Sequence, residues 1–232
     1  MFGTRRVAFG LACGLFLVGV AAMGAARVAH GSATAANVAV VARGFSQHEE
    51  EIGVGFVLRN TSKLDALDVR LTYNLAGAGG RLIASDSQSI QVIPAGATYY
   101  TGDEVDASSA TARARQLEVF VQVGQSVSHR YRLPQVSHVA VVVKYGTVRV
   151  QGEIKNTLAG TLDGLARVGI VVFDRAGKVV GGGFTYPDTS IPRGMRVLFD
   201  AISGVDTVPP AKAASARASV ENEGAESEPM LG

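Results

Sequence analysis

The sequence predicts an all-β protein, two tandem sandwiches of antiparallel sheets behind an N-terminal apolar segment. Three observations carry that prediction. The chain repeats itself: Val38-Ala39-Val40-Val41-Ala42-Arg43 is answered by Val139-Ala140-Val141-Val142-Val143-Lys144, Glu51 to Thr61 by Thr147 to Thr157, and Ile93-Pro94-Ala95-Gly96 by Ile191-Pro192-Arg193-Gly194. The offset is 101 at Val38/Val139, 96 at Asn60/Asn156 and 98 at Pro94/Pro192, so the register hardly drifts. Within each copy apolar residues recur with a period of two, the signature of strands that pack one face and wet the other. Each alternating run also stops at turn chemistry, and several short strands at such spacing argue for a sandwich.

The first element is a targeting segment. Arg5 and Arg6 precede an uncharged run from Val7 to Ala26. About 20 apolar residues can span a bilayer; the same run can be the core of a signal peptide, with Ala33-Thr34-Ala35 or Ala29-His30-Gly31 as the cleavage site. Both readings stay open, and both place everything after residue 36 across the membrane. Cys13 is the only cysteine. It sits inside the apolar run, which continues past it, so a small buried residue is the better reading than a lipid attachment site. Arg5-Arg6-Val7-Ala8-Phe9 lacks the flanks of a twin-arginine signal.

In the first repeat Ile52, Val54, Phe56 and Leu58 form one inward set, and Val69, Leu71, Tyr73 and Leu75 a second, alternating with Arg70, Thr72 and Asn74. Asn60-Thr61-Ser62 ends the earlier strand and Asn74 to Gly80 the later one, with Asn suited to a turn. Pro94-Ala95-Gly96 is a turn signal, and a last strand runs near Leu117–Val123. In the second repeat Val148, Val150, Gly152 and Ile154 alternate with Arg149, Gln151, Glu153 and Lys155. Asn156-Thr157 closes that strand. Val168, Ile170 and Val172 point inward, while Val171 and Phe173 load the opposite face, which predicts a second layer over that strand. Gly181-Gly182-Gly183 lies within a strand and marks a bulge or a close backbone approach rather than a phosphate cradle. A weak strand covers Ala216–Glu221.

The boundaries follow. Residues 1–36 are a signal peptide or transmembrane anchor, 37–133 the first repeat, 136–221 the second, and 222–232 a Glu-rich tail without Lys or Arg that is expected to be disordered. Leu133-Pro134-Gln135 is a linker short enough to let the repeats share an interface.

Composition excludes several function classes. Formal net charge is +2. Residues 36–135 carry nine Lys/Arg against ten Asp/Glu and residues 136–210 eight against six. Counterion release from phosphates needs a patch of several cations on one face, and nothing in the sequence suggests one, so nucleic acid is not an expected partner. Without cysteine in the folded body there is no disulfide, thiolate metal site or cysteine nucleophile. His30, His48, His129 and His138 have no ligand spacing. Asp174 reads as a turn aspartate before Gly177, Glu49-Glu50-Glu51 as a solvated charge run, and the Asn60-Thr61-Ser62 sequon as a turn. Tyr99, Tyr100, Tyr131, Tyr145 and Tyr186 are candidates for a recognition surface but fit half-buried sandwich aromatics better. No catalytic, cofactor-binding or metal-binding residue is assigned, and no cofactor is expected.

One pattern resembles a known family. A strand ending in Asn-Thr, an aromatic-Asp turn closed by Gly, and Pro-x-Gly leading into a strand ending in Phe is similar to the FxLYD family. Here these are Gly152-Glu153-Ile154-Lys155-Asn156, then Val171-Val172-Phe173-Asp174-Arg175-Ala176-Gly177, then Ile191-Pro192-Arg193-Gly194 to Phe199. The first repeat is a weaker copy, with Tyr73-Asn74 and Tyr99-Tyr100. The resemblance implies an immunoglobulin-like sandwich in an exported or membrane-anchored bacterial protein, and it carries no catalytic residues. The expected role is a non-enzymatic binding or adaptor module of the cell envelope, secreted or anchored by residues 7–26, whose partner is a protein or envelope component. A membrane-tethered spacer or assembly element is the alternative, and an enzyme without a recognisable motif the remote one.

Overall fold

The structure, a computed structural model, describes residues 36–109 and 111–221. The N-terminal apolar segment with Cys13, both cleavage sites, and the acidic tail lie outside the described residues. Among the described residues no helix is long and apolar enough to cross a membrane.

Twelve strands form the body. The first repeat holds β1 (Val38–His48), β2 (Glu51–Asn60), β3 (Leu64–Ala76), β4 (Leu82–Ile93), β5 (Thr98–Asp106) and β6 (Gln116–Ser128). The second holds β7 (Gln135–Lys144), β8 (Thr147–Lys155), β9 (Val168–Phe173), β10 (Val179–Thr185), β11 (Arg196–Ala201) and β12 (Ser215–Val220). Single 3₁₀ turns occur at Ala78–Gly80 and Val205–Thr207. All pairings are antiparallel, in four three-stranded sheets ordered β1-β2-β5, β4-β3-β6, β7-β8-β11 and β10-β9-β12. The second repeat therefore reproduces the first strand for strand, as the internal repetition predicts.

Each repeat closes a core between its two sheets. Ile52, Val54, Phe56 and Leu58 of β2 face Val69, Leu71, Tyr73 and Leu75 of β3, all fully buried. Val150 and Ile154 of β8 face Val168, Ile170 and Val172 of β9. These are the inward sets read from the alternation. Burying one such side chain stabilises by roughly 1.5–3 kcal/mol.

Twin asparagines hold each core at the same corner. Asn60 and Asn156 are fully buried. The Asn60 amide donates to Leu64 O at 2.8 Å and Ile93 O at 2.9 Å; Asn156 donates to Gly160 O at 2.8 Å and Ile191 O at 2.7 Å. Each carboxamide oxygen accepts a backbone N–H two residues on, from Ser62 and from Leu158. The side chain thus ties the end of β2 or β8 to the carbonyl just before Pro94 or Pro192. Its turn-forming backbone is secondary to this cross-link. Asp65 makes a further tie that only the first repeat has. It accepts the amides of Ala95, Arg130 and Tyr131 and pairs with His129 at 2.7 Å, which fixes the linker into β7.

The alternation reading fails at one layer. It leaves the second face of β2 to solvent, but Gly53, Gly55 and Val57 there are buried. They pack against the β10-β9-β12 sheet of the other repeat. Val57, Val171 and Val179 form a third apolar cluster, joined by Ala42, Tyr100 and Phe173, so the doubled loading of β9 did announce a second layer. The order of packing is β4-β3-β6, β1-β2-β5, β10-β9-β12, β7-β8-β11. The middle sheets approach closely because glycines face one another. A Cβ on Gly182 would lie 2.7 Å from Gly55 Cα, and one on Gly53 would lie 2.6 Å from Gly182 O. The β10 bulge lies at Val180, between Val179 and Gly181, immediately before the glycine run. The described residues accordingly group as a single compact unit.

The two outermost faces carry polar pairs beside exposed Leu198 and Phe120. On one, Arg149 pairs with Asp200 at 2.6 Å and Arg196 with Glu153; on the other, Arg70 meets Ser87 and Asn74 meets Ser85.

Candidate functional site

The seam between the middle sheets is where the structure gathers chemistry. At its centre Arg167, in the chain entering β9, reaches into the first repeat. Its guanidinium donates to Asp103 Oδ1 at 2.8 Å, Gly102 O at 2.9 Å and Gln88 Oε1 at 2.9 Å. It also stacks on Phe184, 4.3 Å from the ring centroid. Tyr73 donates to Asp103 Oδ2 at 3.1 Å. Burial pushes the Asp103 carboxyl above its ordinary range, and the adjacent Arg167 charge pulls against that shift. Burial and the Asp103 charge push the Tyr73 phenol well up, so it stays a donor. This buried network fills the seam and has the character of a structural lock.

Where the seam opens beside β1, the two repeats form a cleft of about 610 Å³. Its lining brings in Arg43 from β1, Arg113 and Arg115 from the chain before β6, Lys178 from the turn before β10, and Lys212 from the chain before β12. No carboxylate lines it. Phe45, Leu117, Val179, Val180 and Pro209 supply apolar surface between the cations.

The cations are positioned by ordinary sheet chemistry. The Gln47 amide nitrogen donates to Glu49 O and Ala112 O, its oxygen accepts from Ala114 N, and Arg115 N donates to Ala76 O. The Gln47 bonds hold the 112–114 stretch against β1, and the Arg115 amide ties it to the end of β3. Arg43 Nε donates to Leu117 O at 3.1 Å, which lays its guanidinium over the start of β6. On the other wall, Asp174 Oδ1 accepts the amides of Ala176 and Lys178, closing the turn that presents Lys178. Asp174 is therefore the turn aspartate the sequence suggests. Ser46 and Thr207 meet across the seam at 2.5 Å beside the cleft. All five cations are exposed. Arg43, Arg115, Lys178 and Lys212 form no ion pair among the described residues.

Carboxylates collect on the other edge of the same sheet. Glu104 and Asp106 of β5 line a shallow pocket with Asp86. Glu51 and Asp206 have carboxyls raised first by desolvation and then by this acidic neighbourhood. The near-neutral total thus hides a separation of charge across the first repeat. The expectation that no cation patch exists is corrected here. Positions 43, 113, 115, 178 and 212 are scattered along the chain, and only the docking of the repeats brings them to one cleft.

The other residues weighed from sequence do not converge. His129 pairs with Asp65, His138 lies 3.9 Å from Glu153, and His48 is exposed. Among the described residues no group of His, Cys, Asp and Glu could hold a metal ion. His30 lies outside them. Tyr99 is buried, Tyr100 packs in the seam, and Tyr145 is 95% exposed on the β7–β8 turn, so the tyrosines make no common surface. No protein-family model matches the sequence, and no curated protein is similar to it.

Proposed function

We propose that the chain is an extracytoplasmic binding module that engages an anionic partner through the cleft at its seam. The single observation that carries this reading is the five-cation lining without a carboxylate, contributed by both repeats. Exposed cations grouped on one surface attract anions at long range and lose little on desolvation. The repeated sheet order supports an immunoglobulin-like sandwich for each repeat, the fold the FxLYD resemblance implies; no family model backs that resemblance. The Arg5-Arg6 and Val7–Ala26 pattern supports export, as a secreted or an anchored protein. The spacer reading draws on a different observation, the glycine-lined seam that makes one compact body of the two repeats. A spacer needs no ligand.

The test is thermal unfolding of the full-length protein at constant ionic strength, with phosphate or citrate exchanged for chloride. A ligand that binds only the folded state raises Tm with concentration. The expected result is a rise for the native protein, abolished by combined Arg115→Gln, Lys178→Gln and Lys212→Gln. If neither anion nor a polymeric anion shifts Tm, the binding reading fails and the spacer reading stands.

A further inference from the structure

The cleft has the character of a track for a chain of anions rather than a seat for one. A site for a single small anion converges buried donors on one point. Here all five cations are solvent-exposed and are delivered by four separate segments on two walls. The stretch of β1 along it, Arg43 to Gln47, spans about 13 Å at ~3.3 Å per residue. Apolar side chains separate the charges, and no acidic residue is among those lining the cleft. Such a strip repels itself when empty and is relieved by a ligand that supplies several negative charges in a row. The carboxylates on the β5 edge repel the same ligand, which confines it to the β1 edge.

Resting on the anion-binding reading above, we infer that the ligand is a linear polyanion, a flexible polymer with repeated phosphate or carboxylate groups, lying along the seam so that both repeats hold it. Binding then releases condensed counterions, and affinity falls steeply with salt, by about 0.7 in log–log slope for each contact with a flexible single-stranded chain. Five contacts give a slope of about −3.5.

The experiment measures equilibrium binding of the full-length protein to orthophosphate, short and long inorganic polyphosphate, and poly-glutamate, each across a salt series. The expected result is affinity that rises with chain length, with a slope near −3.5. Lys178→Gln and Lys212→Gln should each flatten the slope by about one contact's worth, with the ligand-free Tm held or slightly raised as repulsion within the strip is relieved. Preference for polyphosphate over poly-glutamate identifies a phosphate polymer as the source; equal binding of both identifies charge density as the determinant, and both support the inference. Orthophosphate binding as tightly as the polymers, with a slope near −1, overturns the track while leaving the anion site standing. No binding by any of the four overturns both.

Discussion

Replacing Arg167 with Met tests the seam most directly. Met keeps much of the side-chain length and apolar contact but removes the charge. Asp103, whose side chain is 12% exposed, then holds a buried carboxylate with no cation. Gly102 O and Gln88 Oε1 also lose a donor. Stranding one partner of a buried ion pair costs about 3–5 kcal/mol. In a body of this size each kcal/mol moves Tm by about 2–4 °C, so the fall at neutral pH should be about 6–20 °C. The pH dependence separates this cause from lost packing. Asp103 is already raised by burial, and Arg167 is the charge that restrains the rise. In Arg167→Met the carboxyl takes up its proton at a higher pH than in the native protein. A raised carboxyl favours the folded state fully below its unfolded pKa, and that advantage disappears as pH rises through the folded value. The gap between native and variant therefore narrows on going from about pH 7.5 to about pH 4.5. Calorimetric melts of the full-length protein at the two pH values measure it. Adding Asp103→Asn, which keeps an acceptor for Tyr73, should recover more than half of the loss at neutral pH. A loss under about 1 kcal/mol, or one independent of pH, would refute the argument.

Three other outcomes follow from the same geometry. Gly182→Ala should cost about 3 kcal/mol by urea denaturation, the upper end for overpacking, since its methyl meets the backbone of β2 and cannot be relieved by a rotamer; Gly160→Ala, with no atom within 4 Å of the added carbon, should be nearly neutral. Asn156→Ala takes the side-chain partner from the Gly160 carbonyl and the Leu158 amide and leaves Ile191 O with only the Leu162 amide, and should cost about 2–4 kcal/mol, as should Asn60→Ala in the first; retained stability in either would show that the cross-link is dispensable. Burial alone would raise Asp65, but hydrogen bonds from His129, Arg130, Tyr131 and Ala95 outweigh it and hold the carboxyl below its ordinary range. Its contribution is present above the unfolded carboxylate pKa and is lost as pH falls through the lower folded value, so Asp65→Asn should flatten the acid limb of the stability curve.

The repetition and the period-two pattern determined the all-β class, the strands and the inward residues. Local geometry is enough for those: a strand's faces alternate by covalent structure, and Val54 or Val150 reads as inward wherever its partner lies. The Asp174 turn was legible for the same reason, being set within a few residues, and the glycines of β10 read as a close backbone approach although the strand they approach did not. The asparagines were visible at Asn60 and Asn156, yet their cross-links to Ile93 and Ile191 were not, because those contacts cross a core. The seam lay beyond sequence reading altogether. Gly53 and Gly55 on the outer face of β2 have the pattern of a weak strand edge. They become an interface only when Gly182 is set against them. Arg167 was one cation among many until the fold placed it beside Asp103. The cleft depends on tertiary structure most of all, because charge summed along a chain is blind to charge gathered in space. Arg43, Arg115, Lys178 and Lys212 average out against their sequence neighbours, and the docking of one repeat's β1-β2-β5 sheet on the other's β10-β9-β12 sheet makes them a single electrostatic surface.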